Sequence, residues 1–373
     1  MEILYENILQ VTWQQVVMWL IGGVLIFLAI KKDMEPALLL PIGFGAILVN
    51  LPFSGAVTQW IDGREEVGVL SLLFDSGISN ELFPLLLFIG IGAMIDFGPL
   101  LSNPKMMLFG AAAQFGIFFT LSMASLIGFD LKDAASIAII GAADGPTSIF
   151  VSNYLGSKYV GQIAMAAYSY MALVPIIQPA CIKLITTKKE RRIKMHYQQR
   201  DISKTTRILF PILVTMIAGL IAPRSVALIG FLMFGNLIRE CGVLDSLSET
   251  AQKQLANLIT LLLGITIAAK MQAEDFITKE TLVILGLGLI AFIFDTFGGV
   301  LFAKVMNLFT KNKVNPMIGA AGISAFPMSA RVVHKMGLKE DPQNFLLMHA
   351  AGANVSGQIA SVIAGGLLLS LIG

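Results

Sequence analysis

Charge is scarce in this sequence. Only 13% of its 373 residues are Asp, Glu, Lys or Arg, against roughly 25% in an ordinary soluble domain. The two signs nearly cancel, 26 Lys and Arg against 24 Asp and Glu, so the balance gives no footing to a nucleic-acid partner. Cysteine is almost absent. Cys181 and Cys241 sit in or beside apolar stretches, which excludes a small disulfide scaffold. The three histidines, His196, His334 and His349, show none of the spacings of a metal site. The first ten residues hold Glu2 and Glu6 and no basic cluster, so the expectation is a retained first helix and no cleavable leader.

What fills the chain is apolar. Hydrophobic residues make up 56%, in runs of the ~20 residues that a spanning helix needs. A soluble domain of this size would show amphipathic periods instead. The expected fold is an all-α polytopic membrane protein with ten or eleven segments, from Val11–Ile30 to Phe345–Ile372. Val67–Phe74 is too short to span and reads as a re-entrant or interfacial piece. The one strongly basic loop, Lys183 to Arg207, includes Lys188, Lys189, Arg191, Arg192, Lys194, Arg200 and Lys204. The positive-inside rule puts it in the cytoplasm, as a topology determinant or a docking surface for a soluble partner. Counting back from it sets Lys31 and Lys32 outside, against the same rule, which requires a re-entrant segment or a count off by one.

A weak internal repeat runs through the chain. Asp96-Phe97 recurs as Asp275-Phe276 at an offset of 179, and Gly141-Ala142-Ala143 as Gly319-Ala320-Ala321 at 178. Both Gly-Ala-Ala strings open onto a stretch rich in Gly, Pro, Ser and Thr. Transporters built from repeats set paired broken helices against each other. The expected organisation is therefore N-terminal membrane helices (1–80), a first repeat (81–187) broken at 141–148, the basic loop (188–207), intervening helices (208–254) and a second repeat (255–373) broken at 319–329, with inverted topology favoured.

The first interruption reads Gly141-Ala-Ala-Asp-Gly-Pro-Thr-Ser148. Pro146 removes a donor and clashes one turn back, and Gly145 lets the chain leave helical angles, so the helix should unwind here and free carbonyl oxygens. Asp144 lies in that break. A carboxylate at a helix centre costs about 2.5–3.5 kcal/mol on insertion scales. It either caps the second half-helix or binds a cation or proton, with the hydroxyls of Thr147 and Ser148 as further oxygens for a hard cation. The second interruption, Gly319 to Arg331, offers Ser324, Ser329 and carbonyls but no acid. Arg331 either caps the hairpin or meets an anion. The last segment carries Asn354, Ser356, Gln358 and Ser361 among small residues. Asn354 and Gln358 share a face, as interhelical glue or as part of a site. Tyr168 and Tyr170 are phenols that can donate a proton or ligate a cation, or simply pack. Asp96 and Asp295 are further acids, each a second buried group or a residue at a helix end or packing position.

Gly141 to Phe150 resembles the signature of the β subunits of sodium-translocating biotin-dependent decarboxylases, a group acting on oxaloacetate, methylmalonyl-CoA, glutaconyl-CoA or malonate. Gly90–Pro99, Tyr168–Pro175 and Asn354–Ser361 are similar to further family segments, in the same order. The resemblance implies that a carboxyltransferase α subunit loads a biotin carrier protein. This chain would then decarboxylate the carboxybiotin, consume a proton and export sodium. It also implies a small membrane γ or δ subunit, a multi-pass location in the inner cell membrane, and leaves a homo-oligomer open. Asp144 matches the family's essential intramembrane acid, Tyr170 and Asn354 match positions near the sodium and proton path, and Ser361 follows by spacing. On this reading Asp144, Tyr170 and Tyr168 carry the chemistry. Asp144, Asn354, Thr147, Ser148, Ser324 and Ser361 ligate sodium, and Arg331 and Ser329 meet carboxybiotin. The short chain points toward the acyl-CoA members. The rival is a secondary transporter of a small anion, with the same fold and no decarboxylation.

Overall fold

The computed structural model describes residues 9–32, 34–61, 64–195 and 201–373. Glu2, Glu6, His196 and Arg200 lie outside the described residues.

The chain is an all-α polytopic membrane protein. Helix α1 (Trp13–Lys32) packs on α2 (Pro36–Val49), and a small exposed hairpin, β1 (Gln59–Ile61) with β2 (Arg64–Glu66), follows. Next come α3 (Val69–Leu73), α4 (Leu82–Met94), α5 (Gly98–Ser102), α6 (Met107–Ala113) and α7 (Phe115–Ile127). Helices α8 (Leu131–Ala138) and α9 (Gly145–Tyr154) flank the first interruption, and α10 (Val160–Ile185) follows. After α11 (Lys188–Arg191) come α12 (Lys204–Ile221), α13 (Val226–Glu240), α14 (Asp245–Thr250), α15 (Ala256–Ile267), α16 (Ala273–Phe276) and the long α17 (Lys279–Phe309). Helices α18 (Met317–Ala320) and α19 (Met328–Glu340) flank the second interruption, and α20 (Leu347–Ile372) closes the described chain.

Among the described residues, seven helices are long and apolar enough to cross a bilayer. Val69–Ser79 with Leu82–Met94, bent by 60°, is an eighth candidate, a broken span or a re-entrant loop. The short piece expected at Val67–Phe74 is the first arm of that bent pair. The other expected segments are present as shorter helices, such as α2 and α13, or as the two interrupted ones.

Helices that meet here use small residues, as lipid-embedded packing does. A methyl group on Gly92 of α4 would overlap the Leu232 carbonyl of α13, and one on Gly235 of α13 would overlap the Ile89 carbonyl of α4. The same device sets α17 against α18: a methyl on Gly299 would run into the Gly319 carbonyl, and one on Gly319 into that of Gly299. Burial is concentrated in the interior helices. Only 11% of the apolar window of α12 and 22% of that of α1 is covered, against 67% for α20, so the polar face of α20 lies inside protein.

Part of the basic loop is tied down. Thr187 and Glu190 form a capping box at α11. Arg191 pairs with Glu340 at 2.7 Å, Lys194 with Asp341 at 3.2 Å and Lys304 with Glu190 at 3.1 Å. The first two contacts clasp the end of α19, and the third ties α11 to α17.

Candidate functional site

The first interruption begins one turn earlier than the proline indicates. Helix α8 tightens into a 3-10 turn at Ile139–Ala142, Ala143 takes a left-handed conformation with φ 51°, and Asp144 is extended. Gly145 and Pro146 already belong to the first turn of α9. Proline is well placed there, since a first-turn N–H has no intrahelical acceptor to lose. Pro146 therefore starts the second half-helix, and the unwinding expected over 141–148 falls on 139–144.

Asp144 caps α9. Its carboxylate accepts the Thr147 N–H at 3.4 Å and the Thr147 hydroxyl at 2.8 Å. The hydroxyl of Ser361, from the middle of α20, reaches the same carboxylate at 3.2 Å. Asp144 is 3% exposed, and Thr147, Ser148 and Ser361 are fully buried. The Ser148 hydroxyl turns back to the carbonyls of Asp144 (2.9 Å) and Ile139 (3.4 Å). The ring of Tyr168 lies flush against Gly145, where any Cβ would overlap it, and its buried hydroxyl meets no partner among the described residues.

The second interruption, residues 321–327, lies against the first. The Ser324 N–H donates to the Ala142 carbonyl at 3.1 Å, one backbone hydrogen bond joining the two breaks. Helix α20 lines this junction. Asn354 donates its amide to the Ile323 carbonyl at 2.7 Å, Gln358 to the Ser324 carbonyl at 2.6 Å, and Ser324 its hydroxyl to the Gly357 carbonyl at 2.9 Å. The NH₂ groups face carbonyls, so the amide oxygens point away. Asn354 Oδ1 and Gln358 Oε1 are buried and accept from no donor among the described residues. Asn354, Gln358 and Ser361 thus present one polar face, tied to the second break at one end and to Asp144 at the other. The buried oxygens of carboxylate, hydroxyl and amide here have the chemistry of a hard-cation shell.

Other expected site residues lie apart from this cluster. Tyr170 turns to the opposite side of α10 and donates to the Leu285 carbonyl of α17 at 2.5 Å. Ser329 is buried in the first turn of α19, just after the second break, donating to the Ala320 carbonyl at 3.2 Å and accepting from Gln178 at 2.7 Å. Arg331, two residues on, is exposed. It lines a cleft of about 560 Å³ with Pro175, Pro179, Lys183, Lys335 and Lys339. Asp96 is a helix-end residue with a half-exposed side chain, accepting from Gly98 N–H at 2.8 Å and lying 3.8 Å from Arg207. Gln178 escaped notice in the sequence. It is fully buried and donates to both the Ala320 carbonyl (2.8 Å) and the Ser329 hydroxyl. A lone amide between Pro175 and Pro179 in an apolar helix was the available signal.

A multi-pass helical protein with a buried acid between two facing, interrupted helices belongs to the class of membrane ion-translocating proteins with broken-helix sites. Comparison with known proteins names the family. The profile described as Na+-transporting oxaloacetate decarboxylase beta subunit matches residues 14–372, and the chain belongs to that family. It is 50% identical to the methylmalonyl-CoA decarboxylase subunit beta of Propionigenium modestum, covering 96% of this chain and 95% of the relative. Identity to the glutaconyl-CoA decarboxylase subunit beta of Acidaminococcus fermentans is 49%, over 97% and 94%. Identity to the oxaloacetate decarboxylase beta chain of Klebsiella pneumoniae is 45%, over 96% and 95%.

Proposed function

We propose that this chain is the membrane subunit that decarboxylates carboxybiotin and couples the step to sodium export with consumption of a proton. Family membership supports the activity. The observation that carries the mechanism is the Asp144 carboxylate, buried in a helix break and joined by Ser361 to the polar face of α20. Asp144, Thr147, Ser361 and Asn354 would hold the sodium ion, with the Gln358 amide oxygen beside them. Ser148 and Ser324, whose hydroxyls bond carbonyls and do not reach the Asp144 carboxylate, would shape the break.

Carboxybiotin would arrive on a biotin carrier protein loaded by a carboxyltransferase α subunit, with a small γ or δ subunit completing the complex in the cell's inner membrane. The basic cleft at Arg331, Lys335 and Lys339 suits the carboxylate electrostatically, and Ser329 supports the break behind it. When the N–CO₂ bond breaks, CO₂ leaves and the ring nitrogen must gain a proton. Sodium beside Asp144 favours its carboxylate form, and sodium release favours its protonation, so one group exchanges the two cations. The alignments with the acyl-CoA relatives run over 376 and 362 residues, against 412 for the oxaloacetate chain. This supports an acyl-CoA substrate for the partner carboxyltransferase.

We also infer a two-fold internal repeat. Phe115 and Phe294, offset by 179 in sequence, are in ring contact at 6.4 Å, as equivalent residues at a symmetry axis would be. Ser148 and Ser329 each reach a carbonyl nine residues back across a break.

The test is turnover of free carboxybiotin by the purified complex with and without sodium. Sodium-stimulated decarboxylation is the expected result. Sodium-driven uptake of a small anion with no decarboxylation would replace this reading by the transporter.

The two phenols separate by geometry. Tyr168→Phe, beside Asp144, is expected to slow decarboxylation by about tenfold or more, toward the 10²–10⁴ range of a lost proton-transfer group. Tyr170→Phe loses one hydrogen bond to a carbonyl, about 1 kcal/mol of stability, and also slows turnover if the proton path runs along α10. Rates of both variants across pH measure this, and unchanged profiles in both would make the phenols packing residues.

Asn354→Ala removes an unengaged oxygen and frees the Ile323 carbonyl. A rise of about tenfold in the sodium concentration for half-maximal rate is expected, one ligand's worth of ~1.4 kcal/mol. Sodium titration and thermal melting of one preparation check it. A lower melting temperature with an unmoved titration would make Asn354 interhelical glue.

A further inference from the structure

Gln178 of α10 is fully buried, and the chemistry proposed for Asp144 does not use it. Its amide answers a need that the second interruption creates. A continued helix would give the Ser324 N–H to the Ala320 carbonyl, four residues back. That N–H goes instead to the Ala142 carbonyl of the first interruption. Side chains meet the Ala320 carbonyl in its place, Gln178 Nε2 at 2.8 Å and the Ser329 hydroxyl at 3.2 Å. The same Nε2 also donates to Ser329 Oγ at 2.7 Å. One NH₂ group therefore pins the end of α18 and the start of α19 to α10.

The arrangement has a cost that plain packing would avoid. Gln178 Oε1 is buried and accepts from no donor among the described residues. A methionine would fill the space and leave no unmet oxygen. The amide's use lies in what flanks it and its partner. Met328 and Arg331, on either side of Ser329 in sequence, line the basic cleft, and Pro175 and Pro179, on either side of Gln178, line its α10 wall. The bond from Gln178 to Ser329 thus ties the two walls together behind the cleft. Arg331 sits on a long side chain, and this bond fixes the backbone beneath it.

We propose that Gln178 is the positioning residue of the cleft that receives carboxybiotin. It acts through Ser329 and Ala320 to hold Arg331 at the distance from α10 that the carboxylated ureido ring requires. This assignment rests on the function proposed above.

The test is steady-state turnover of free carboxybiotin by the purified complex, run beside melting curves, for wild type, Gln178→Met, Ser329→Ala and the double variant. Methionine keeps the length of the side chain and loses both donated bonds. Gln178→Met is expected to raise the KM for carboxybiotin about tenfold and to lower kcat less than about threefold, the pattern of lost binding rather than lost chemistry. The sodium concentration for half-maximal rate should stay close to that of wild type. Ser329→Ala is expected to raise the KM in the same direction, and the double variant to add less than both singles together, because the two side chains share one bond. An unmoved KM in Gln178→Met, with any loss of rate following the melting temperature, overturns the proposal and makes the amide a packing residue. A sodium titration that shifts as far as the KM overturns it too, because the bond would then serve both interruptions alike. Should Gln178→Met not fold, Ser329→Ala decides alone, and a wild-type KM in it is equally fatal. If the wild type does not turn over carboxybiotin, the functional reading falls and this inference with it. Wild-type turnover with an unmoved KM in the variant removes only this inference.

Discussion

Asp144→Asn is expected to abolish sodium-coupled decarboxylation, by at least about 100-fold, the lower end of what a positioned proton-transfer group contributes. Stability should barely move. Asn caps a helix about as well as Asp, so the Thr147 N–H keeps its acceptor and α9 keeps its start. What disappears is the negative charge that favours a cation and the group that takes a proton in its place. Asp144→Ala removes the cap as well and should cost a further ~1 kcal/mol. Rate assays with a sodium titration, run beside melting curves, separate the two effects. Full coupled activity in Asp144→Asn would remove this residue from the mechanism.

Gly299→Ala is expected to be among the most disruptive single changes in the molecule. The added methyl would overlap the Gly319 carbonyl, which belongs to the backbone of α18 and cannot rotate away. Overpacking typically costs 1–3 kcal/mol, occasionally more, and a backbone obstacle puts this case at about 3 kcal/mol. Pushing α18 off α17 also displaces the second interruption from Ala142, so turnover should fall with stability. Gly286→Ala on the same helix is the control. Nothing lies within 4 Å of its Cβ position, and Ala is the better helix former by about 1 kcal/mol. Melting temperatures that fall for Gly299→Ala and hold or rise for Gly286→Ala are the expected pair. Equal behaviour would mean that the close approach does not limit packing.

The helical membrane architecture was legible because apolar runs of spanning length have no other use in so uncharged a chain. The acid in the first break was legible because Asp144 interrupts such a run beside Gly and Pro. The break's register was not. Proline's rule is permissive in the first turn of a helix and prohibitive inside it, and sequence alone did not say which applied to Pro146. Partnerships across α10 were hidden for a similar reason. Residues 168 and 170 are two apart, so on a helix they point to nearly opposite sides, and only tertiary packing decides which phenol faces Asp144. Ser329 and Arg331 divide the same way, one buried against the break and the other exposed in the cleft. Gln178 is the clearest omission, since a single amide in an apolar helix draws less attention than an acid, whereas Gln358 stands out in the sequence on the polar face of the last segment. They are where the carbonyls freed by the second break find donors.

Tyr168 and Gln178 stand ten residues apart on α10, about 15 Å along a helix that rises 1.5 Å per residue. One lies against the first interruption and the other is bonded to both arms of the second. A stiff rod touching two hinges makes them a single mechanical stage: displacement at one is felt at the other. Pro175 lies between the two contacts, and proline is where a helix bends most easily. The rod therefore carries its own flexure, a second link between the two interruptions beside the direct Ser324–Ala142 hydrogen bond.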